Sequence, residues 1–478
     1  MHKMKISNAM MLFICIITSL LCICFIITDS DRPAGYGLLF LLPLGFTICS
    51  IIFLPIYKAI PNNLGATIII ALFFVRMVIS PMLMSFGNYA GTIDLNVSSN
   101  TLPAILLICY ENLTVFFTLF YLASKSSNTI YKGAPTIIRQ KIKFKYKLAL
   151  ILMLIILGIC IIYTPALTMT YRTIFEIGEY NFTNYEDNWI VKQYGTSFLS
   201  KLSLVTGQYL MKAAIVMVPA TIIIACSKPK NKIWKWLSLL FVAVPLFFIG
   251  GAIARSLIYC VILLMLWTLL YSREKFDKRI IRLLILAGIL VISWWIFRSD
   301  VTGLSARGWD QFSERFSAYF SGVNVVSGAF NMERTLGLRL RYFVYDFIST
   351  FPYGNTIFNI SHETIQPFFN SMNDSMGQIP TTIGMGYYYF GILLSPIYSV
   401  IFTIVAFKAA EKLVSHNTNP IKYVRLLLTI FQFSMGIIMY NIEITMTMFW
   451  TLIFPLYLME RFAYIQDDKI TEAQKYDS

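Results

Sequence analysis

The chain has 478 residues, of which 57% are hydrophobic and only 13% charged, with a formal net charge of +15. That composition excludes a water-soluble globule, which keeps far more polar surface. It excludes a nucleic-acid-binding domain as well, because the basic residues sit between apolar runs of about 20 residues, the length that crosses a bilayer as a helix.

The predicted fold class is an all-α polytopic membrane protein with about twelve transmembrane helices. The spans fall at about 6–28, 35–57, 64–86, 102–123, 148–168, 202–226, 236–251, 254–271, 283–298, 381–407, 426–441 and 444–460. Only helices and closed barrels satisfy the backbone in lipid, and no ten-residue alternation marks a barrel. After "MHKMK" the first run has no small-residue cleavage site and is followed by another span, so it is read as an uncleaved helix. Connection 124–147 carries seven Lys or Arg and no acid, whereas 87–101 carries none; this asymmetry places both termini in the cytoplasm. The predicted organisation is helices one to nine in 1–298 with an outer loop at 169–201, a large extracytoplasmic loop at 299–380, and three helices and a tail in 381–478. The eight cysteines fall in or at the ends of spans without metal-binding spacing, so neither disulfides nor a zinc site is expected.

Polar outliers then locate the candidate site. Asp29-Ser30-Asp31 has the DxD form that holds metals in some sugar transferases, but the match is two acids in a turn that ends a helix. Arg76 and Glu111 each lie about ten residues from the outer end of consecutive antiparallel spans, so they are expected at one depth as an intramembrane pair. Arg172 opens the loop 169–201, and Arg255 follows "GGAIA" at an outside turn. From 283 to 407 there is no lysine, yet six arginines occur: Arg298, Arg307, Arg315, Arg334, Arg339 and Arg341. Guanidinium grips phosphate through a planar fork, which an ammonium cannot do. The loop also holds Asp300, Asp310, Glu314, Glu333, Asp346, Glu363 and Asp374, so it is no general anion trap; it suits a phosphate site that also supplies a carboxylate. The plainer reading is that Arg–acid pairs brace the loop. Trp309, Phe312, Phe316, Tyr319 and Phe320 recur at helical spacing, as in a helix lying along the membrane surface or packed on the bundle. His362 is the one histidine outside, and with Asp310 and Glu314 it is a candidate acid or base. There is no Walker or dinucleotide motif and no cytoplasmic domain for an activated donor, so an outer-face substrate must bring its own leaving group.

"ERFSAYFSGVNVVSGAF" (Glu314–Phe330) and "IPTTIGMGYYYFG" (Ile379–Gly391), together with the span layout and the glycine–arginine turn, resemble the Wzy-type O-antigen polysaccharide polymerases. The resemblance implies a GT-C-like, metal-independent glycosyltransferase of the bacterial inner membrane with no cofactor. Donor and acceptor would both be undecaprenyl-diphosphate-linked oligosaccharides, and a chain-length regulator and a flippase would be its partners. It places Arg315, Tyr319 and Asn324 in the family-like block and Arg255 in the turn. Arg172, Arg334, Arg339 and Arg341 join the diphosphate-binding set by charge and side of membrane alone. The arginine motif with a glycine eleven positions later, found in some such polymerases, is absent. A lipid-linked-oligosaccharide flippase is the non-enzyme alternative, and an O-antigen ligase the enzymatic one; the His-Asn pair of ligases is not matched, since Glu363 follows His362.

Overall fold

Asn63, Thr381 and Asn441 each accept a hydrogen bond from the backbone N–H three residues on, at 2.9, 2.9 and 2.7 Å. Capping of this kind satisfies orphan donors at a helix start, and these three residues fix where three of the helices begin. The computed structural model describes residues 6–29, 36–59, 63–86, 98–126, 143–164, 167, 198–227, 232–247, 253–271, 313, 316, 320, 322–360, 362–373, 378–414 and 419–463. Among them the regular secondary structure is all helical.

In chain order the helices are α1 (Ile6–Thr28), α2 (Leu41–Ile52), α3 (Leu64–Phe86), α4 (Ser98–Ser126), α5 (Phe144–Tyr163), α6 (Phe198–Cys226), α7 (Lys232–Leu240) and α8 (Ile253–Tyr271). They continue as α9 (Val323–Gly328), α10 (Leu336–Thr350), α11 (Gly354–Phe358), α12 (Ile365–Met372), α13 (Thr382–Phe390), α14 (Ile397–Val414), α15 (Pro420–Ile438) and α16 (Ile442–Arg461). Seven of these, α1, α3, α4, α5, α6, α15 and α16, are long and apolar enough to cross a membrane. The predicted span 283–298 lies outside the described residues.

One predicted span differs in kind. Residues 381–407 do not form a single helix: α13 ends at Gly391, whose φ of +82° stops the helix, and α14 begins only at Ile397, after Pro396. A non-glycine residue rarely adopts that φ, and proline cannot continue a helix ladder, so both residues break a run that hydropathy reads as continuous. Gly386 fits this corner for a second reason, because a Cβ there would collide with the carbonyl of Ser395.

The chain divides into two compact units. The first comprises residues 1–132, 274–412 and 429–448, so the segment 322–380 belongs to it. Inside it, Thr382 Oγ1 donates to the Gly436 carbonyl at 2.6 Å and lies 3.1 Å from the Tyr440 carbonyl, securing the start of α13 to the end of α15. Asn63 Nδ2 donates to the Phe407 carbonyl at 3.2 Å, joining α3 to α14. The second unit comprises 133–273, 413–428 and 449–478. There Tyr146 and Thr221 hydroxyls lie 2.9 Å apart between α5 and α6, Trp267 Nε1 donates to Ser238 Oγ at 3.0 Å, and Arg425 pairs with Glu460 at 2.6 Å.

Within the first unit Arg76 sits in a π-helical turn, Val75–Ile79, that interrupts α3. Its Nη1 donates to Glu111 Oε2 at 2.6 Å, and Glu111 accepts a second hydrogen bond from Ser399 of α14. Arg76 is 1% exposed and Glu111 0%. The extra residue of a π turn locally re-aims side chains, which suits a helix that must direct a guanidinium into its core.

Candidate functional site

The segment after Gly322 is held in the first unit by amides. Asn100, in the first turn of α4, donates to Asn331 at 2.7 Å, and Asn331 donates to Asn373 at 2.7 Å. Asn373 in turn donates to the carbonyls of Gly328 and Phe369. α9, where Asn324 is fully buried, packs on α4 and α13. Asn324 is therefore a core residue, and its carbonyl takes the Ser327 hydroxyl at 2.7 Å.

This frame presents α10 to α13. On α10 the apolar residues Leu336, Leu340, Val344 and Phe347 are exposed, while Asp346 and Ser349 are buried. Arg339, Tyr342, Asp346 and Ser349 are spaced i, i+3, i+7 and i+10, one face of an α-helix. A helix with apolar residues outward and polar residues inward inverts the soluble pattern, as lipid or an interface outside would require.

Three successive tyrosines of α13 meet this region. The Arg334 guanidinium lies 4.3 Å over the Tyr387 ring, which itself stacks on Phe330 at 4.3 Å. Arg334 also packs against Gly391, with Nη2 3.3 Å from the point a Cβ would occupy. Tyr388 is 0% exposed and its ring neighbours Tyr342 and Phe368. The charges of Arg339, Glu333 and Arg334 act on the Tyr388 hydroxyl. Tyr389 donates its hydroxyl hydrogen to Asp346 Oδ2, and the Ile365 N–H donates to Asp346 Oδ1 at 2.9 Å.

Buried polar atoms are almost always paired, so unpaired ones need a reason. Among the described residues, Arg334 Nε, Arg339 Nε and the Tyr388 hydroxyl are buried without a hydrogen-bond partner. Two guanidiniums and one hydroxyl keep spare donors here, and an oxyanion would supply the missing lone pairs. Beside it is a buried carboxyl: burial pushes Asp346 up to about 7, the Glu443 charge adds to that rise, and the Tyr389 and Ile365 hydrogen bonds oppose it. Glu443, in the first turn of α16, lies 2.9 Å from Ser349 Oγ.

The expected site residues are not all gathered here. Arg341 is half-exposed, pairs with Glu363 and lies 5.4 Å from the Tyr345 ring, so it braces the surface of the segment. His362 is exposed, beside Glu363, and is not among the groups acting on Tyr388 or Asp346. Arg255 is half-buried in the first turn of α8, in the second unit. Arg172, Asp310, Glu314, Arg315 and Tyr319 lie outside the described residues. Of the aromatic stripe, Phe316 and Phe320 are described, with rings 4.6 Å apart as helical spacing demands. Asp29 takes a hydrogen bond from Ser85, a packing contact between α1 and α3. Among the described residues no three metal-ligating side chains cluster, and all eight cysteines are free.

Sequence reasoning missed Tyr387, Tyr388, Tyr389 and Glu443. The available signals were a GMGYYYFG run in which three adjacent aromatics point in three directions, and an acid inside an apolar span. No protein-family model, curated protein or solved structure matched the chain.

Proposed function

We propose that this chain is a polytopic glycosyltransferase of the bacterial cytoplasmic membrane. It joins undecaprenyl-diphosphate-linked oligosaccharide repeat units into a surface polysaccharide on the outer face. In this reading it has twelve spans in a GT-C-like arrangement, with both termini cytoplasmic and the segment 299–380 outside. The observation that supports it is three buried donors without hydrogen-bond partners among the described residues, Arg334 Nε just before α10, Arg339 Nε on α10 and the Tyr388 hydroxyl on α13, beside the exposed apolar residues of α10. A lipid diphosphate pairs an apolar tail with an oxyanion in this way.

The chemistry then follows. The bond between the anomeric carbon of the growing chain and the diphosphate oxygen breaks as a hydroxyl of the new repeat unit attacks that carbon. Arg334 and Arg339 hold the diphosphate and stabilise the charge that develops as it leaves. Tyr388 adds a neutral donor that is buried in advance and needs no reorganisation. The hydroxyl proton passes to a base, for which the buried carboxyl of Asp346 on the same helix as Arg339 is the candidate. Interactions made only with the departing charge accelerate the reaction, so these donors act on the chemical step more than on ground-state binding.

Reconstituted protein supplied with lipid-linked repeat units and no nucleotide is expected to produce a ladder of longer lipid-linked chains. A product that stays at one unit, with substrate access to the outer leaflet verified, would remove the enzymatic reading.

A further inference from the structure

We propose that Glu443 carries a proton that Asp346 does not, and that this one-proton pair positions Arg339 of α10 against Tyr388 of α13. The inference rests on the reading of Arg339 and Tyr388 as an oxyanion site.

Ser349 Oγ lies 2.8 Å from the Asp346 carbonyl oxygen and 2.9 Å from Glu443 Oε1. A hydroxyl brings one hydrogen and cannot satisfy two acceptors. Both contacts are satisfied when Glu443 is protonated, donates to Ser349 Oγ, and leaves Ser349 to donate to the carbonyl. Asp346 has the opposite surroundings: the Tyr389 O–H and the Ile365 N–H both point at it, one to each carboxyl oxygen. It is built to be a carboxylate, and each oxygen keeps a spare lone pair.

Charge leads to the same assignment. The titratable groups that interact with Asp346 are Tyr342 on its own helix, Tyr389 on α13, Tyr398 on α14 and Glu443 on α16. Arg341 acts on Tyr342, but among the described residues no cation is among the groups that act on Asp346 or Glu443, and two adjacent carboxyls without a cation do not both ionise. Environments that push two acids apart assign their protonation states. With Glu443 neutral, its contribution to raising Asp346 disappears, and the two hydrogen bonds that Asp346 accepts favour its carboxylate.

The consequence for the oxyanion site is positional. Asp346 lies two turns along α10 from Arg339 on the same face, about 10.5 Å along the axis. Its partner Tyr389 is the residue after Tyr388. The Asp346–Tyr389 hydrogen bond therefore ties α10 to α13 two turns along from Arg339, whose charge acts on the Tyr388 hydroxyl. Asp346 is a positioning residue in this role, and its ionised form is the one that accepts both hydrogen bonds.

The test uses full-length protein in lipid nanodiscs, with inorganic pyrophosphate as probe and the protonated-carboxyl band of the infrared spectrum as a second measurement. Glu443→Gln replaces a neutral acid by a neutral amide that still donates to Ser349; it is expected to keep pyrophosphate affinity within about twofold and to lose the carboxyl band. Asp346→Asn is expected to weaken pyrophosphate about tenfold or more without lowering the melting temperature at alkaline pH, where the wild-type carboxylate is buried and charged. Wild-type affinity should fall as pH drops and Asp346 takes up a proton, and Asp346→Asn should lack that component; the probe's own titration is common to both. Loss of affinity in Glu443→Gln, or an unchanged affinity and pH profile in Asp346→Asn, would overturn the pair. If wild-type protein binds no pyrophosphate, the oxyanion reading fails by itself, and the infrared band decides the proton: lost in Glu443→Gln it upholds the assignment, lost in Asp346→Asn or absent from wild type it refutes it.

Discussion

Arg339→Ala is expected to slow chain lengthening by a factor of about 10 to 150 while the protein remains abundant and folded. Arg339 sits on the inner face of α10 with a buried Nε that has no partner among the described residues, and its charge reaches the Tyr388 hydroxyl. Hydrogen bonds from a charged donor contribute roughly 1.5–3 kcal/mol, a factor of about 10 to 150 in rate if the contact is made to the leaving diphosphate. Arg339→Lys is expected to restore little, because an ammonium lacks the planar fork. Arg334→Ala should behave similarly, since Tyr387 and Gly391 hold that guanidinium from two sides. Arg341→Ala provides the contrast. Its pair with Glu363 is half-exposed, and such pairs contribute at most about 1 kcal/mol, so activity should change only a few-fold. Initial rates of polymerisation at equal protein, measured for the three variants, separate a diphosphate clamp from a bracing role. Equal effects at Arg339 and Arg341 would contradict the assignment.

Glu111→Ala has the largest expected effect on stability. It removes one member of a fully buried ion pair and leaves Arg76 charged in an apolar core, which costs about 3–5 kcal/mol. It also strands the Ser399 hydroxyl of α14, so a third helix loses a tie. A marginally stable membrane protein is expected to lose most of its folded yield at that cost, and survivors should melt well below wild type. The double replacement Arg76→Met with Glu111→Leu keeps volume and removes both charges, and buried pairs exchanged in this way are often neutral. It should recover the melting temperature and most of the activity. Recovery of stability without any activity would instead assign the pair a role in handling substrate.

Legibility from sequence varied for physical reasons. The boundaries of α1 and α3 were readable because a bilayer sets the length of an apolar helix, and their flanks are polar or proline-bearing. Arg76 and Glu111 were readable as partners because consecutive spans are antiparallel, so equal distance from one end means equal depth. The break between α13 and α14 was not readable: a positive φ at Gly391 is a backbone choice that hydropathy averages away. The arginines were identified by type and side of membrane, but nothing in their spacing separates Arg339, with an unpaired buried nitrogen, from Arg341, which finds Glu363 beyond α11. Tyr388 was hidden by its neighbours, since a tyrosine among aromatics reads as packing until its hydroxyl is found unpaired. Asp346 and Glu443 are 97 residues apart in the chain (443 minus 346), and only the folding of α10 onto α16 brings them together.

The most direct measurement is the size ladder of the surface glycan in a strain from which this gene alone is deleted. Collapse of the ladder to a single repeat unit on its normal acceptor, restored by wild-type protein and poorly by Arg339→Ala, is the result expected of a polymerase. Complete loss of surface glycan, with single lipid-linked units stranded on the inner leaflet, would contradict it and identify a flippase.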